Sequence, residues 1–204
     1  MPKGPTFLVV EDDAAVRRLI VRSLSEHGEV DAVGTCAAAK LAFRARTYDA
    51  IIMDVSLPDG SGLDLIELAK RRSPAAIVLV LTGSRQHDVI RRALEAGARY
   101  LLKPCDATHL DLIAAEALSR RNAAARRTTL ILARWAKDYS LSKTDVELLA
   151  LGAEGVPRHA FSERRDVRPD TIKKQIQLLI QKTGHDTFEG AVNSLLREAL
   201  AEPT

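Results

Sequence analysis

The chain has 204 residues, 46% hydrophobic and 28% charged, with a formal net charge of +3, a balance that suits one or two globular domains. No apolar run approaches the ~18 residues of a membrane span, and Met1-Pro2-Lys3-Gly4 leads straight into an apolar strand, leaving no room for a signal peptide. Cys36 and Cys105 are too few for a disulfide framework, and the five histidines are too scattered for a paired-ligand motif. A cytoplasmic protein with no membrane partner is expected.

In chain order, Phe7-Leu8-Val9-Val10 reads as a buried strand, and Glu11-Asp12-Asp13 follows at once. Asp13 suits the start of a helix carrying Val16, Leu19, Ile20 and Leu24, where the dipole favours negative charge. Glu11 and Asp12 are left at the strand's carboxyl end. A weaker strand over Val30 to Gly34 and a helix over Ala37 to Ala45 come next. Ile51-Ile52-Met53-Asp54 is a second strong strand that ends in a charge, and Pro58-Asp59-Gly60 turns the chain just beyond it. A helix over about Leu63 to Arg71 leads to the strand Ile77 to Leu81, which runs into Thr82-Gly83. A further helix, about Gln86 to Ala96, stops at Gly97, and a short strand, Tyr100 to Leu102, runs into Lys103-Pro104. Five strand–helix alternations predict an α/β fold, a parallel sheet covered on both faces. In such a sheet, chemistry gathers outside the carboxyl ends of the strands.

Those ends carry Glu11 and Asp12, Asp54, Thr82 and Lys103. Three carboxylates on one sheet edge repel unless a divalent cation sits among them. Mg²⁺ takes oxygen ligands, keeps several waters and is commonly completed by a phosphate. A hydroxyl and an ammonium opposite it would neutralise the charge that develops in phosphoryl transfer. A carboxylate nucleophile giving an acyl phosphate completes the set. The pattern points to phosphorylation of Asp54.

Residues 6 to about 120 resemble the receiver domain of a two-component response regulator. The resemblance rests on Glu11-Asp12 after Phe-Leu-Val-Val, on Asp54 with Leu57-Pro58-Asp59-Gly60-Ser61-Gly62, on Leu81-Thr82-Gly83, and on the run from Ala96 to Pro104. It implies a flavodoxin-like, doubly wound five-stranded parallel sheet in the order 2-1-3-4-5. It further implies Asp54 as phosphoacceptor, Asp12 as main Mg²⁺ ligand, Glu11 holding a metal-bound water, and Ser56 offering its backbone carbonyl to the metal. Thr82 would hydrogen-bond the phosphoryl group, Lys103 would pair with it through a cis Lys103-Pro104 unit, and Tyr100 matches the family's rotating aromatic. The implied partner is a cognate histidine kinase.

Beyond Pro104, Leu110, Ile113, Ala117, Ala124, Ile131 and Trp135 recur at threes and fours, with Arg121 and Thr128 at intermediate positions of the seam. No glycine or proline falls between Cys105 and Lys137, and alanine is frequent. Either the receiver's last helix ends near Ser119 and a polar linker follows, or one helix of ~30 residues runs on. Arg120-Arg121 and Arg126-Arg127 read as solvated on either account. The expected organisation is a receiver over 1–120, a helical linker over 121–140 and an all-α domain over 141–204.

In that last domain Ser142 and Asp145 form a capping box, and Arg168-Pro169-Asp170 opens a helix with proline at its first position. Helices are expected before Gly152 to Gly155, over Arg158 to Arg165, after Pro169 with Ile172, Ile176, Leu179 and Ile180 buried, and over Phe188 to Leu200. The spacing from Leu141 to about Lys182 resembles a LuxR-type (NarL/FixJ-like) helix-turn-helix. Its landmarks are Leu141-Ser142, Glu147, Leu149, Ala153-Glu154-Gly155, Pro169, Thr171-Ile172-Lys173, Ile180, Lys182 and Gly184. Phe161-Ser162, Arg165, Arg168 and Gln175 depart from it, standing for Ile-Ala, Leu, a small capping residue and His. Arg165 either snorkels along the core edge or shifts its helix. The resemblance implies that Lys173, Lys174 and Gln177 face base edges of double-stranded DNA while Thr171, Gln175 and Lys182 touch its backbone.

Charge adds independent support. Residues 1–120 hold 16 Lys and Arg against 16 Asp and Glu, whereas the remainder holds 14 against 11 and so carries the whole excess. A basic cluster on a reading element is the footprint of phosphate contact. Two functions stay open: a phosphorylation-switched transcription factor, a homodimer when active, or a relay or protein-interaction regulator whose helical output no longer binds DNA. Arg165 and Asp170 keep the second in view. A separate enzymatic turnover is not expected.

Overall fold

The computed structural model describes residues 4–83 and 87–200, the last of these for its backbone only. Five strands, β1 (Thr6–Val10), β2 (Glu29–Val33), β3 (Ala50–Asp54), β4 (Ile77–Thr82) and β5 (Arg99–Leu102), pair in parallel in the order β2-β1-β3-β4-β5. β1, β3 and β4 are buried at every position, as near-continuous apolar runs must be when both faces of a parallel sheet are covered. Alternate residues serve opposite faces. Leu8, Val10, Ile51, Met53, Val78 and Val80 pack with residues of α2 (Cys36–Ala45) and α3 (Ile66–Arg72). Phe7, Val9, Ile52, Leu79 and Leu81 pack with Ile20 and Leu24 of α1 (Ala14–Ser25) and with Leu110, Ile113, Ala114 and Ala117 of α5 (Ala107–Asp138). Each such fully buried aliphatic side chain contributes roughly 1.5–3 kcal/mol.

Local chemistry sets the element ends. Asp13 caps α1, accepting from the amides of Ala15 at 2.7 Å and Val16 at 3.0 Å, so the third acid of the Glu-Asp-Asp run does belong to a helix start. α3 is preceded by a 3₁₀ turn over Gly62–Leu65, which Ser61 opens by accepting from the Leu63 amide. α4 spans His87–Glu95; Gln86, where the sequence places its beginning, lies outside the described residues. The Lys103-Pro104 peptide is cis.

α5 runs unbroken over 32 residues. Arg121, read from the sequence as a solvated position, instead donates to Asp49 at 3.0 Å. The same Asp49 oxygen takes the Thr6 amide and hydroxyl at 2.8 and 3.0 Å. A polar knot therefore ties α5 to the amino ends of β1 and β3, because an inward-facing guanidinium finds a carboxylate there.

The chain divides into two compact units, Met1–Arg121 and Asn122–Thr204. The second is helical: the end of α5, then α6 (Lys143–Ala153), a 3₁₀ turn at Arg158–Ala160, α7 (Phe161–Arg165), α8 (Pro169–Thr183) and α9 (Phe188–Leu200). Its core joins Leu132, Trp135, Leu148, Leu149, Phe161, Ile172, Ile176, Leu179 and Leu195. On α5, Trp135 and the expected Ile131 both pack into this core, Ile131 half-buried, and Leu132, which the sequence reading did not single out, is the more deeply buried of the two aliphatics. The Ser142–Asp145 capping box is present. The helix expected over Arg158 to Arg165 is split, and α7 closes on Asp166 in the left-handed conformation at φ 50°. Among the described residues no helix is long and apolar enough to cross a membrane.

Candidate functional site

Glu11, Asp54, Thr82 and Lys103 each stand at or just past the carboxyl end of a different sheet strand, so parallel pairing alone brings them to one edge. Glu11 and Asp54 are 1% and 6% exposed, while Asp12 is open to solvent. One carboxylate oxygen from each of Glu11, Asp12 and Asp54 lies within 4.8 Å of the others. The Lys103 ammonium bridges two of them, donating to Glu11 Oε2 at 2.7 Å and to Asp54 Oδ2 at 2.8 Å.

The electrostatics follow from that crowding. Burial pushes the Glu11 carboxyl up, the Lys103 hydrogen bond pulls it down and the Asp54 charge adds to the rise, so it stands above its ordinary value. Burial works against the Lys103 ammonium, but its hydrogen bonds to Asp54 and Glu11 outweigh that and raise its pKa. The pocket thus gathers three carboxylates around the Lys103 ammonium, which bridges two of them. Its donor set is all carboxylate oxygen, the set that suits a small hard divalent ion such as Mg²⁺.

The loop after Asp54 is built tightly. The Ser56 amide donates to Asp54 Oδ1 at 3.2 Å, and Ser56–Leu57 pairs with Gly60–Ser61 in a two-residue hairpin. Gly62 donates its amide to Val55 at 2.9 Å, and a Cβ there would lie 1.9 Å from the Asp54 carbonyl oxygen. Only glycine fits that approach. Asp59, at the tip, reaches across to the first turn of α2 and accepts from the amides of Cys36 at 2.7 Å and Ala37 at 2.8 Å. The sequence shows Asp59 only as a turn residue; its anchoring role depends on a contact 23 positions away.

Thr82 is 2% exposed at the end of β4, next to the Asp54 strand. Tyr100 lies on the neighbouring strand, where β5 pairs with β4, and its hydroxyl is buried with no hydrogen-bond partner among the described residues.

In the helical unit the six DNA-contact candidates separate into two sets. Thr171, Lys173, Lys174 and Gln177 are exposed on α8, with Gln177 three and four positions from the two lysines and so on one face with them. Gln175 and Lys182 are already engaged. Gln175 Oε1 accepts from Arg165 at 2.7 Å, and Lys182 Nζ donates to the buried carboxylate of Asp145 at 2.6 Å.

Residues 7–115 match the response regulator receiver domain family. The chain is 31% identical over 188 residues to the DNA-binding transcriptional activator DevR/DosR of Mycobacterium tuberculosis, a match covering 86% of this chain and 87% of that protein. It is 35% identical over 107 residues to the photosynthetic apparatus regulatory protein RegA of Rhodovulum sulfidophilum, across 52% of this chain and only 58% of RegA. The fold is shared with a CheY-like receiver domain from Methanospirillum hungatei JF-1, at TM-score 0.55 and 24% identity over 59% of this chain and 98% of that one. A sheet edge with this acid-and-lysine pocket and a match over most of its length to a DNA-binding regulator place the chain among the two-component response regulators, with its first unit a receiver domain.

Proposed function

We propose that this chain is a phosphorylation-switched DNA-binding transcriptional regulator. The observation that carries the reading is the Lys103 ammonium held between Glu11 and Asp54, beside a third acid, at the edge of a receiver sheet. An Asp54 carboxylate oxygen attacks the phosphorus of a phosphohistidine on a cognate kinase, or of a small phosphodonor. The new O–P bond forms as the bond to the donor breaks, giving an acyl phosphate. Lys103 exchanges its carboxylate partners for phosphoryl oxygens, and the Thr82 hydroxyl donates to another. Asp12, Asp54 and the Ser56 carbonyl would hold Mg²⁺, with Glu11 ordering one of its waters; the ion supplies charge neutralisation at the phosphoryl oxygens.

Drawing Thr82 toward the phosphoryl group changes the space open to the half-buried Tyr100 side chain on the neighbouring strand, and the surface of α4 and the start of α5 responds. The output is the helical unit, read as a LuxR-type helix-turn-helix with α8 in the major groove. Lys173, Lys174 and Gln177 face base edges and Thr171 the backbone. One short reading helix gives little affinity alone, so a homodimer on two half-sites is the active form.

The test is fluorescence anisotropy of the full chain on promoter duplexes across a salt series, with and without acetyl phosphate. Salt-dependent binding that tightens on phosphorylation is expected. Binding that stays undetectable at low salt in both states would instead favour the relay reading, which the internal engagement of Lys182 supports.

A further inference from the structure

Arg165 closes α7 where the helix-turn-helix pattern buries an aliphatic residue, yet its side chain is only 15% exposed. The guanidinium does not reach for solvent. Nη1 donates to Gln175 Oε1 at 2.7 Å, and Nη2 donates to Thr144 Oγ1 at 3.3 Å and lies 3.2 Å from Glu147 Oε2. Thr144 and Glu147 belong to α6 and Gln175 to α8, so one planar side chain links three helices. A buried cation is costly unless paired and hydrogen-bonded, and here the counter-charge and both neutral acceptors are supplied. Arg165 and Gln175, two of the departures from the pattern, are each other's partners.

That pairing fixes the orientation of Gln175. A guanidinium only donates, so the carboxamide must turn its oxygen to Arg165, and its planar NH₂ group then points away from that contact. The flanking residue Lys174 and the nearby Gln177 are exposed on the same helix.

We propose that Arg165 is a positioning residue: it clamps α8 against α6 and α7 and fixes the Gln175 carboxamide so that its NH₂ group donates to DNA phosphate. With one lone pair of its oxygen held by Arg165, the Gln175 carboxamide is fixed in one orientation, and its NH₂ group is the donor it can offer to a phosphate oxygen. The clamp supplies a neutral backbone contact beside lysines free to read bases. The part concerning DNA rests on the DNA-binding reading given above.

Two measurements on the full chain separate the clamp from its use. Trp135 is the sole tryptophan and is 3% exposed in the helical core, so its fluorescence follows unfolding of that unit in urea. A double-mutant cycle of Arg165→Leu and Gln175→Met is expected to show coupling of about threefold or more in the unfolding constant, as for groups in direct contact. Additive effects would overturn the clamp. Gln175→Met should also weaken binding to every duplex in a set of single-base-pair variants by the same factor, about two- to tenfold for one neutral hydrogen bond, with base preference unchanged. A changed preference at one base pair would mean that Gln175 reads a base, and would overturn the phosphate contact. If the wild-type chain binds no duplex, the DNA reading and the contact given to Gln175 both fall, while the cycle still decides whether Arg165 is the clamp.

Discussion

Replacing Lys182 with methionine separates two roles for one ammonium, a contact to DNA phosphate and a counter-ion inside the helical unit. Asp145 is 3% exposed, and its Oδ2 takes the Ser142 amide at 2.8 Å, the Ser142 hydroxyl at 2.7 Å and Lys182 Nζ at 2.6 Å. Methionine keeps most of the stem but leaves the carboxylate with neutral donors alone. Stripping one partner from a fully buried pair costs about 3–5 kcal/mol. The Lys182 side chain is 38% exposed and water can reach the vacated position, so the expected cost falls to about 1–2 kcal/mol. Burial pushes the Asp145 carboxyl up, but Lys182 and the Ser142 donors outweigh it and hold its pKa below the ordinary value of 3.8. A depressed carboxyl stabilises the fold above its unfolded pKa, and that stabilisation is lost as pH falls through the lower folded one. Urea unfolding followed by Trp135 fluorescence should therefore show the full difference between wild type and Lys182→Met at pH 7, shrinking below pH ~3.8. An unchanged midpoint at pH 7, together with a salt dependence of DNA binding flattened by about one unit, would refute the counter-ion role.

Asp12→Ala should weaken Mg²⁺ binding, measured calorimetrically on the full chain, and leave thermal stability without Mg²⁺ nearly unchanged because Asp12 is exposed; equal Mg²⁺ affinity would count against it as a ligand. Gly62→Ala should cost about 1–3 kcal/mol through forced displacement of the Asp54 loop and slow phosphorylation; a variant as stable and as fast as wild type would mean the loop yields freely. Beryllofluoride with Mg²⁺ should shift amide resonances of Tyr100, α4 and the start of α5, and their constancy would contradict the Thr82–Tyr100 switch.

The receiver pocket was legible because its logic is topological. Residues at the ends of buried parallel strands meet at one edge whatever the loops do, so Glu11, Asp12, Asp54 and Lys103 could be gathered on paper. Asp13 and the Ser142–Asp145 box were legible for a different reason, since capping acts over three residues. The contacts that escaped are those in which a polar side chain meets a partner on another element. Asp59 reaches α2 across 23 positions, Lys182 reaches Asp145 across 37 and Arg121 reaches Asp49 across 72. No periodicity encodes those meetings; they follow from how helices settle against a sheet or one another. Arg165 is the instructive case: the sequence shows a charge in an aliphatic position, but only the fold supplies Glu147, Thr144 and Gln175 around it.

The central claim, that the acid-and-lysine pocket exists to phosphorylate Asp54, is tested most directly by intact-mass analysis of wild type and Asp54→Asn after incubation with acetyl phosphate. Wild type is expected to gain one phosphoryl group with Mg²⁺ present and none when a chelator removes it, and Asp54→Asn to gain none in either condition. Phosphoryl uptake by Asp54→Asn at the wild-type rate would place the acceptor elsewhere and contradict the account.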